Sequence, residues 1–243
     1  MKQQTYPDYK NWIPEWMRIG ADVLGVVGVA ACLWVNKMYY TFSYDGKRKL
    51  SKTIVEGTAE YVSLPEGGVG LDIGCGSGAL TIACAKKNPQ GTMVGIDRWG
   101  KEYMDFSNAL CVKNAEAEGV ADRVSFRQGD ACKLDFPDET FDAVTSNYVY
   151  HNIAGKDKQE LLRETLRVLK KGGTFAIHDI MSPARYGDMD AFVAELKAEG
   201  YEDVQLIDTT RGKFIGRAES MLMDLAGSKL LVGKKKKTDN SLC

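Results

Sequence analysis

Leu71-Asp72-Ile73-Gly74-Cys75-Gly76-Ser77-Gly78-Ala79-Leu80 places an apolar strand, three glycines at alternate positions and the start of a helix in direct succession. Gly74 permits a tight turn, Gly76 leaves the backbone open to a ligand, and Gly78 or Ala79 lets strand and helix pack closely. Such a strand-turn-helix unit opens a parallel α/β sheet, whose ligands bind at the carboxyl ends of the strands. The glycines do not name the ligand, because Gly74, Gly76 and Ala79 also satisfy the G-x-G-x-x-G/A pattern of dinucleotide-binding proteins.

Outward from this unit the pattern alternates. Helical spacing of Leu50, Ile54, Val55, Ala59 and Val62 predicts a helix over Lys47 to Val62, broken by Pro65-Glu66-Gly67-Gly68. Strands are predicted at Val69–Ile73, Thr92–Asp97, Arg123–Gln128, Phe141–Ser146, Gly173–Asp179, Val204–Asp208 and Lys229–Val232. Helices are predicted at Gly78–Lys87, Lys101–Glu118, Lys156–Lys170 and Asp188–Glu199, with Gly172-Gly173 as a helix stop. The expected fold is an α/β, doubly wound, mostly parallel seven-stranded sheet with an antiparallel edge strand, plus an N-terminal helical appendage.

The chain's 243 residues hold one such domain and an appendage. Hydrophobic residues make up 44%, charged residues 27%, and the formal net charge is -1, which argues against a disordered chain and against a nucleic-acid partner. The six cysteines (Cys32, Cys75, Cys84, Cys111, Cys132, Cys243) include no C-x-x-C pair and read as reduced thiols in a cytoplasmic setting.

Val23 to Asn36 is uncharged and mostly apolar; counted from Ile19 across Asp22 it gives roughly 27 Å of helix. A spanning helix wants about 20 apolar residues. Trp12, Trp16 and Trp34 suit a membrane interface, and Lys47, Arg48, Lys49 and Lys52 would keep the following chain on the cytoplasmic face. Residues 19–36 thus read equally as a membrane attachment or as a buried or self-associating helix. A secretion signal is the weaker reading despite Val29-Ala30-Ala31-Cys32, because Asp8, Glu15 and Asp22 spoil a positive leader. The chain divides into residues 1–46, a hydrophobic and aromatic anchor or lid; 47–233, the α/β domain; and 234–243, a lysine-rich tail expected to be disordered.

Three strand-end carboxylates narrow the choice of ligand. Asp72 ends an otherwise apolar strand, where an ionised group needs a cationic or hydrogen-bonding partner. Dinucleotide folds ordinarily carry an apolar residue there, whereas a methionine ammonium gives a carboxylate a reason to be present. Asp97, in Gly95-Ile96-Asp97-Arg98, offers two acceptor oxygens to ribose hydroxyls and fits either cofactor. Asp130, in Gln128-Gly129-Asp130-Ala131, is placed to accept from an adenine amino group. Each aspartate also has a plain reading as a turn or helix cap.

Together these motifs resemble the class I S-adenosylmethionine-dependent methyltransferases, over roughly Lys47 to Gly233. The resemblance implies a Rossmann-like fold with S-adenosylmethionine as cofactor. It implies that Asp72, Gly74 and Gly76 line the methionine portion, with Cys75 and Gly78 completing the cofactor loop. Asp97 would hold the ribose, Arg98 or Trp99 flank the adenine, Asp130 and Ala131 meet its edge, and Asn147 contribute at the methionine end. Phe136-Pro137-Asp138-Glu139-Thr140-Phe141-Asp142-Ala143-Val144 and Leu166-Arg167-Val168-Leu169-Lys170-Lys171-Gly172-Gly173 are similar to segments of the small-molecule, quinone-methylating-like subgroup. A small-molecule acceptor follows as an expectation, a lipophilic one if residues 19–36 are an anchor.

Methyl transfer asks mainly that an acceptor be held about 3 Å from the methyl carbon. A base helps only when the acceptor arrives protonated. The chain has two histidines, both at predicted strand ends, so His151 is the first candidate base and His178 the second. Tyr148 and Tyr150 are candidates for the acceptor wall, although aromatic alternation fits a core equally. Arg211, Lys213 and Arg217 are candidates to meet an anionic acceptor. No His/Cys/Asp cluster has metal-ligand spacing, so no metal is expected. Two rivals stay open: a sensor or interaction module that binds S-adenosylmethionine without turnover, and a nicotinamide-dependent oxidoreductase.

Overall fold

Parallel strands cannot be joined by a tight turn, so each return requires a crossover, and a helix supplies it while covering the sheet. A computed structural model describes residues 15–44, 46–100 and 106–237, which fall into two units, residues 1–50 and 51–243. The first is built on α1 (Glu15–Phe42), 28 residues and so about 42 Å long. Its apolar side chains are exposed, Leu24 at 73% and Val26 at 70%. Among the described residues it is the one helix long and apolar enough to cross a membrane. Trp12 lies outside the described residues.

The second unit runs α2 (Leu50–Ala59), β1 (Val69–Ile73), α3 (Ala79–Lys87), β2 (Thr92–Asp97), α4 (Asn108–Ala117), β3 (Val124–Gln128) and β4 (Phe141–Asn147). There follow α5 (Lys158–Arg167), β5 (Leu169–Ile180), α6 (Pro183–Tyr186), α7 (Met189–Ala198), β6 (Tyr201–Asp208), α8 (Arg217–Leu222) and β7 (Ser228–Lys235). The sheet order is β3-β2-β1-β4-β5-β7-β6. Strands β1 to β5 pair in parallel, and β7 is antiparallel to β5 and β6. The antiparallel strand expected at the edge sits one place in, with β6 outermost.

Central strands are apolar on both faces because helices cover both. Leu71, Ile73, Val144, Phe175 and Ile177 are fully buried and join Leu162 and Leu166 of α5 in one core. The sheet winds outward in opposite directions from β1 and β4, which pair with each other. At such a reversal the crossover helices leave on opposite sides, and a crevice opens at the carboxyl ends of the strands.

Of the boundaries that differ from expectation, three have a clear local reason. The helix predicted from Lys101 begins at Asn108, where the Ser107 hydroxyl accepts from Leu110 N; residues 101–105 lie outside the described residues. Gly172-Gly173 is not a helix stop: α5 ends at Arg167 and the glycines lie within β5, where Gly172 at φ +84° accommodates a register shift against β4. Strand β7 continues past 233 to Lys235, whose Nζ donates to Leu169 O and pairs with Glu139, so the first two lysines of the expected tail are sheet residues. Residues 238–243 lie outside the described residues.

One carboxylate is enclosed within the sheet. Asp72 is 1% exposed and accepts from Thr81 Oγ1 at 2.6 Å and Thr145 Oγ1 at 3.0 Å. Burial pushes its pKa up to about 6, against the pull of those hydroxyls. The native state therefore binds more protons than the unfolded chain between about pH 4 and 6, and stability falls as pH rises through that window. Threonine hydroxyls can also accept a bond, so an amide fits in place of the carboxylate. Asp72→Asn should remove this dependence and gain about 3 kcal/mol over the native chain at pH 7. Urea unfolding of both proteins at pH 4 and pH 7 checks it; a difference that does not change with pH would show that Asp72 titrates normally.

Candidate active site

The turn from β1 into α3 is fastened to the neighbouring strand. Gly74 N and Cys75 N both donate to Ile96 O, at 2.8 and 3.0 Å. Gly74 sits at φ +71°, and a Cβ there would fall 2.3 Å from Val149 Cγ2, so only glycine fits. Gly76 N donates to Asp97 Oδ2 at 2.8 Å, and Trp99 N donates to Asp97 Oδ1 at 2.8 Å. The Trp99 indole Nε1 returns to Gly76 O at 3.0 Å. Asp97 is thus held between the glycine turn and the turn that follows it.

A cleft of about 530 Å³ opens at the reversal point, within the size range of ligand pockets. Gly74, Asp97 and Arg98 line one part; Asp130 and Ala131, after β3, line another; Asn147 and Tyr148, at the end of β4, close it. Seven of the residues expected at the site converge there. Asp130 is also a turn former, accepting from Cys132 N at 2.8 Å. Its plain role and its place in the cleft coexist.

Other expected residues stand behind the wall. Asp72 has both oxygens engaged by threonines and does not reach the cleft. Cys75 is buried beneath the turn, where the Cys111 thiol and burial hold its own thiol well above the usual range. Gly76, Gly78 and Trp99 shape the turn without lining the cleft. Val149 and Asn152, in the stretch after the fourth strand expected to form the wall, line it, as do residues that the sequence did not mark, including Ile96, Phe106 and Lys156. They carry no motif; only the folding of three strand ends together brings them in.

The two histidines, alike in sequence, differ in setting. His178 is 1% exposed, with Nδ1 2.9 Å from Asn147 Oδ1 and Nε2 2.9 Å from Thr209 Oγ1. It packs edge-on against Tyr148 and Phe214. Burial lowers its pKa to about 3, so the ring is neutral and both nitrogens are engaged. The expectation of His178 as a base is therefore corrected: it has no nitrogen free to take a proton.

His151, in the helical turn Tyr150–Asn152, places Nδ1 2.5 Å from Asp179 Oδ1. A carboxylate only accepts, so Nδ1 is the donor, and in the neutral ring the lone pair is on Nε2. Nε2 has no hydrogen-bond partner among the described residues, and the side chain is 15% exposed. Asp179 also accepts from His151 N (3.1 Å), Tyr186 Oη (2.8 Å) and Ile180 N (2.7 Å). Burial works to raise its pKa, but these donors, the His151 ring first, leave it below the usual carboxylate range. His151 stands beside the cleft rather than in its wall, 6.0 Å between ring centroids from Tyr148.

Tyr148 joins the wall in the left-handed region, φ +56°, an uncommon conformation for a bulky side chain. Its amide donates to His178 O at 2.8 Å, and its hydroxyl meets Ser228 Oγ at 2.9 Å. Tyr150 is wholly buried and belongs to the core, its hydroxyl on Thr165. Arg211 is paired with Asp208 at 2.7 Å, and Lys213 lies 5.1 Å over the Tyr61 ring. Neither lines the cleft, and neither does Arg217.

A family described as "Methyltransferase domain" matches residues 71–177, the span from β1 to β5. Demethylmenaquinone methyltransferase of Lactobacillus johnsonii is 30% identical over 168 residues, 64% of this chain and 66% of that protein. Erythromycin 3''-O-methyltransferase of Saccharopolyspora erythraea is 29% identical over 148 residues, 61% of this chain and 46% of that one. The chain thus spans about half to two thirds of the length of these relatives. A solved structure of geranyl diphosphate C-methyltransferase from Streptomyces coelicolor, in complex with S-adenosyl-L-homocysteine, superposes with a TM-score of 0.58 at 13% identity, over 77% of this chain and 81% of that one; at that identity the likeness is one of fold. With the glycine turn, the strand order and the matched span in agreement, this chain belongs to the class I S-adenosylmethionine-dependent methyltransferases.

Proposed function

We propose that the chain transfers a methyl group from S-adenosylmethionine to a small, lipophilic acceptor that reaches the site carrying an ionisable proton. The observation that carries this reading is the cleft at the reversal point, where the carboxylates of Asp97 and Asp130 share one wall with the glycine turn. The donor set fits an adenosyl ligand. Asp97 has lone pairs left for two ribose hydroxyls, and Asp130 keeps one oxygen for an adenine amino group beside the small Ala131. Arg98 stands next to Asp97 on the adenine side, while Gly74 and Asn147 serve the amino-acid end. Asp72, Cys75, Gly76, Gly78 and Trp99 hold the turn in shape from behind. When bound, the cofactor supplies an electrophilic methyl carbon on a sulfonium.

The chain's own task is then positioning and proton handling. Asp179 fixes His151 with Nε2 unprotonated, and Nε2 takes the proton from the acceptor as the lone pair of its oxygen or carbon becomes available. Tyr148 shapes the acceptor side. Helix α1 attaches the chain to a membrane: Trp16 and Trp34 are separated by about 27 Å of helix, close to a bilayer's hydrocarbon thickness. The cations Lys47, Arg48, Lys49 and Lys52 that follow would hold the methyltransferase domain on the cytoplasmic face, where a lipophilic acceptor is concentrated. A net charge of -1 offers nothing to a nucleic acid.

Asp97→Ala should weaken binding of S-adenosylhomocysteine by about 1 to 3 kcal/mol in titration calorimetry; unchanged affinity would remove Asp97 from the site. His151→Ala should lower transfer of labelled methyl to a cell extract by about a hundredfold while leaving S-adenosylhomocysteine affinity intact. If the native chain itself labels no product yet binds S-adenosylhomocysteine, it is a sensor and not an enzyme. In fractionated cells the full chain should sediment with membranes and a version beginning at Ser51 should not; equal solubility of the two would end the anchoring proposal.

A further inference from the structure

The geometry points to His178 as a positioning residue that acts through Asn147: its Nδ1–H fixes the Asn147 amide so that Nδ2 is presented to the cleft as a donor. The two residues are register partners at the ends of β4 and β5, and their side chains meet at 2.9 Å. An amide oxygen only accepts, so the bond from His178 Nδ1 to Asn147 Oδ1 places the ring's proton on Nδ1. Nε2 then accepts from Thr209, whose single hydroxyl proton is shared with Ser228 O, 3.0 Å away. Burial keeps the ring neutral, which leaves no second ring proton to alter this arrangement. With its oxygen committed, Asn147 has only Nδ2 left, and that atom has no hydrogen-bond partner among the described residues although Asn147 lines the cleft.

The support reaches further back. Ser228 Oγ donates to Leu225 O at 2.7 Å and so receives the Tyr148 hydroxyl proton. Two polar side chains of the cleft, Asn147 and Tyr148, are thus tied to one buried group of His178, Thr209 and Ser228, all beyond residue 177 where the family match ends. A misdirected amide would present its oxygen instead, which repels a carboxylate. The ligand chemistry favoured at this point is an acceptor group, and the amino-acid carboxylate of the cofactor is the one available at that end. The inference rests on Asn147 serving the cofactor's amino-acid end.

The test uses the full chain, two probes and three variants. S-adenosylhomocysteine carries the amino-acid group and 5'-methylthioadenosine lacks it. His178→Phe, which keeps the ring's bulk and loses both bonds, should weaken S-adenosylhomocysteine about tenfold in titration calorimetry and leave 5'-methylthioadenosine unchanged. Asn147→Ala should do the same, and the double variant should bind no more weakly than Asn147→Ala alone. Equal weakening of both probes by His178→Phe would mean a general structural role and overturn the inference. Normal S-adenosylhomocysteine binding by Asn147→Ala would remove the reading beneath the inference and the inference with it. Weakening by Asn147→Ala together with an additive double variant would overturn the positioning role alone. Should His178→Phe fail to fold, the isosteric Thr209→Val frees Nε2 and should weaken S-adenosylhomocysteine selectively by about threefold; no change there would equally overturn it.

Discussion

Ile96 O accepts two hydrogen bonds from the glycine turn, from Gly74 N and Cys75 N, and the rest of the site depends on that pair. It locks the end of β1 to the end of β2, and so fixes where Asp97, the next residue, must stand. From there Asp97 takes Gly76 N and Trp99 N, and the indole of Trp99 closes back on Gly76 O. Trp99 lies two residues from Asp97, whereas Gly76 lies 21 residues from Asp97, so the loop closes on the parallel register that β1 and β2 already hold. A side chain at Gly74 would collide with Val149 and with it the wall after β4. One turn thereby sets the spacing of three strand ends.

Behind this turn the polar groups are arranged in layers. Asp72 lies deepest, satisfied by two threonine hydroxyls and costly to ionise. Its position under the turn braces β1 against α3 and β4, since Thr81 and Thr145 belong to those two elements. The next layer, Asp97 and Asp130, spends part of its acceptor capacity on turns and retains the remainder for the cleft. Burial separates their roles: the enclosed carboxylate supports, and the two at the cleft are those proposed to bind.

The fold was legible because periodicity and glycine punctuation are local properties. Alternation from β1 to β5 gave the parallel sheet, and the expected antiparallel strand is present one place in from the edge. What misled was chemistry whose meaning depends on distant partners. Gly172-Gly173 has the look of a helix stop until β4 pairs with Leu169 and draws the pair into β5. Asp72 reads as a ligand because sequence cannot show Thr145, 73 residues away, filling its second oxygen. Strand-end position brought Asp97, Asp130 and Asn147 to the cleft as expected, whereas Phe106 and Lys156 came to it without any signal.

The histidines show the same limit most sharply. His151 follows β4 and His178 lies near the end of β5, and both were candidates to move a proton, yet the determinant is what faces the second nitrogen. His151 gives Nδ1 to a carboxylate held by three further donors, so its tautomer is set and Nε2 remains available. His178 meets an amide on one side and a hydroxyl on the other, inside a core that keeps it neutral. A ring that can neither gain nor release a proton can still impose direction, because an imidazole with one N–H dictates which end of an amide it faces. In the first case one nitrogen is left open for the proposed proton transfer; in the second both nitrogens are engaged inside the core. Asp179, which separates the two outcomes, adjoins His178 in sequence yet turns to His151, as alternate residues of a strand must point to opposite faces.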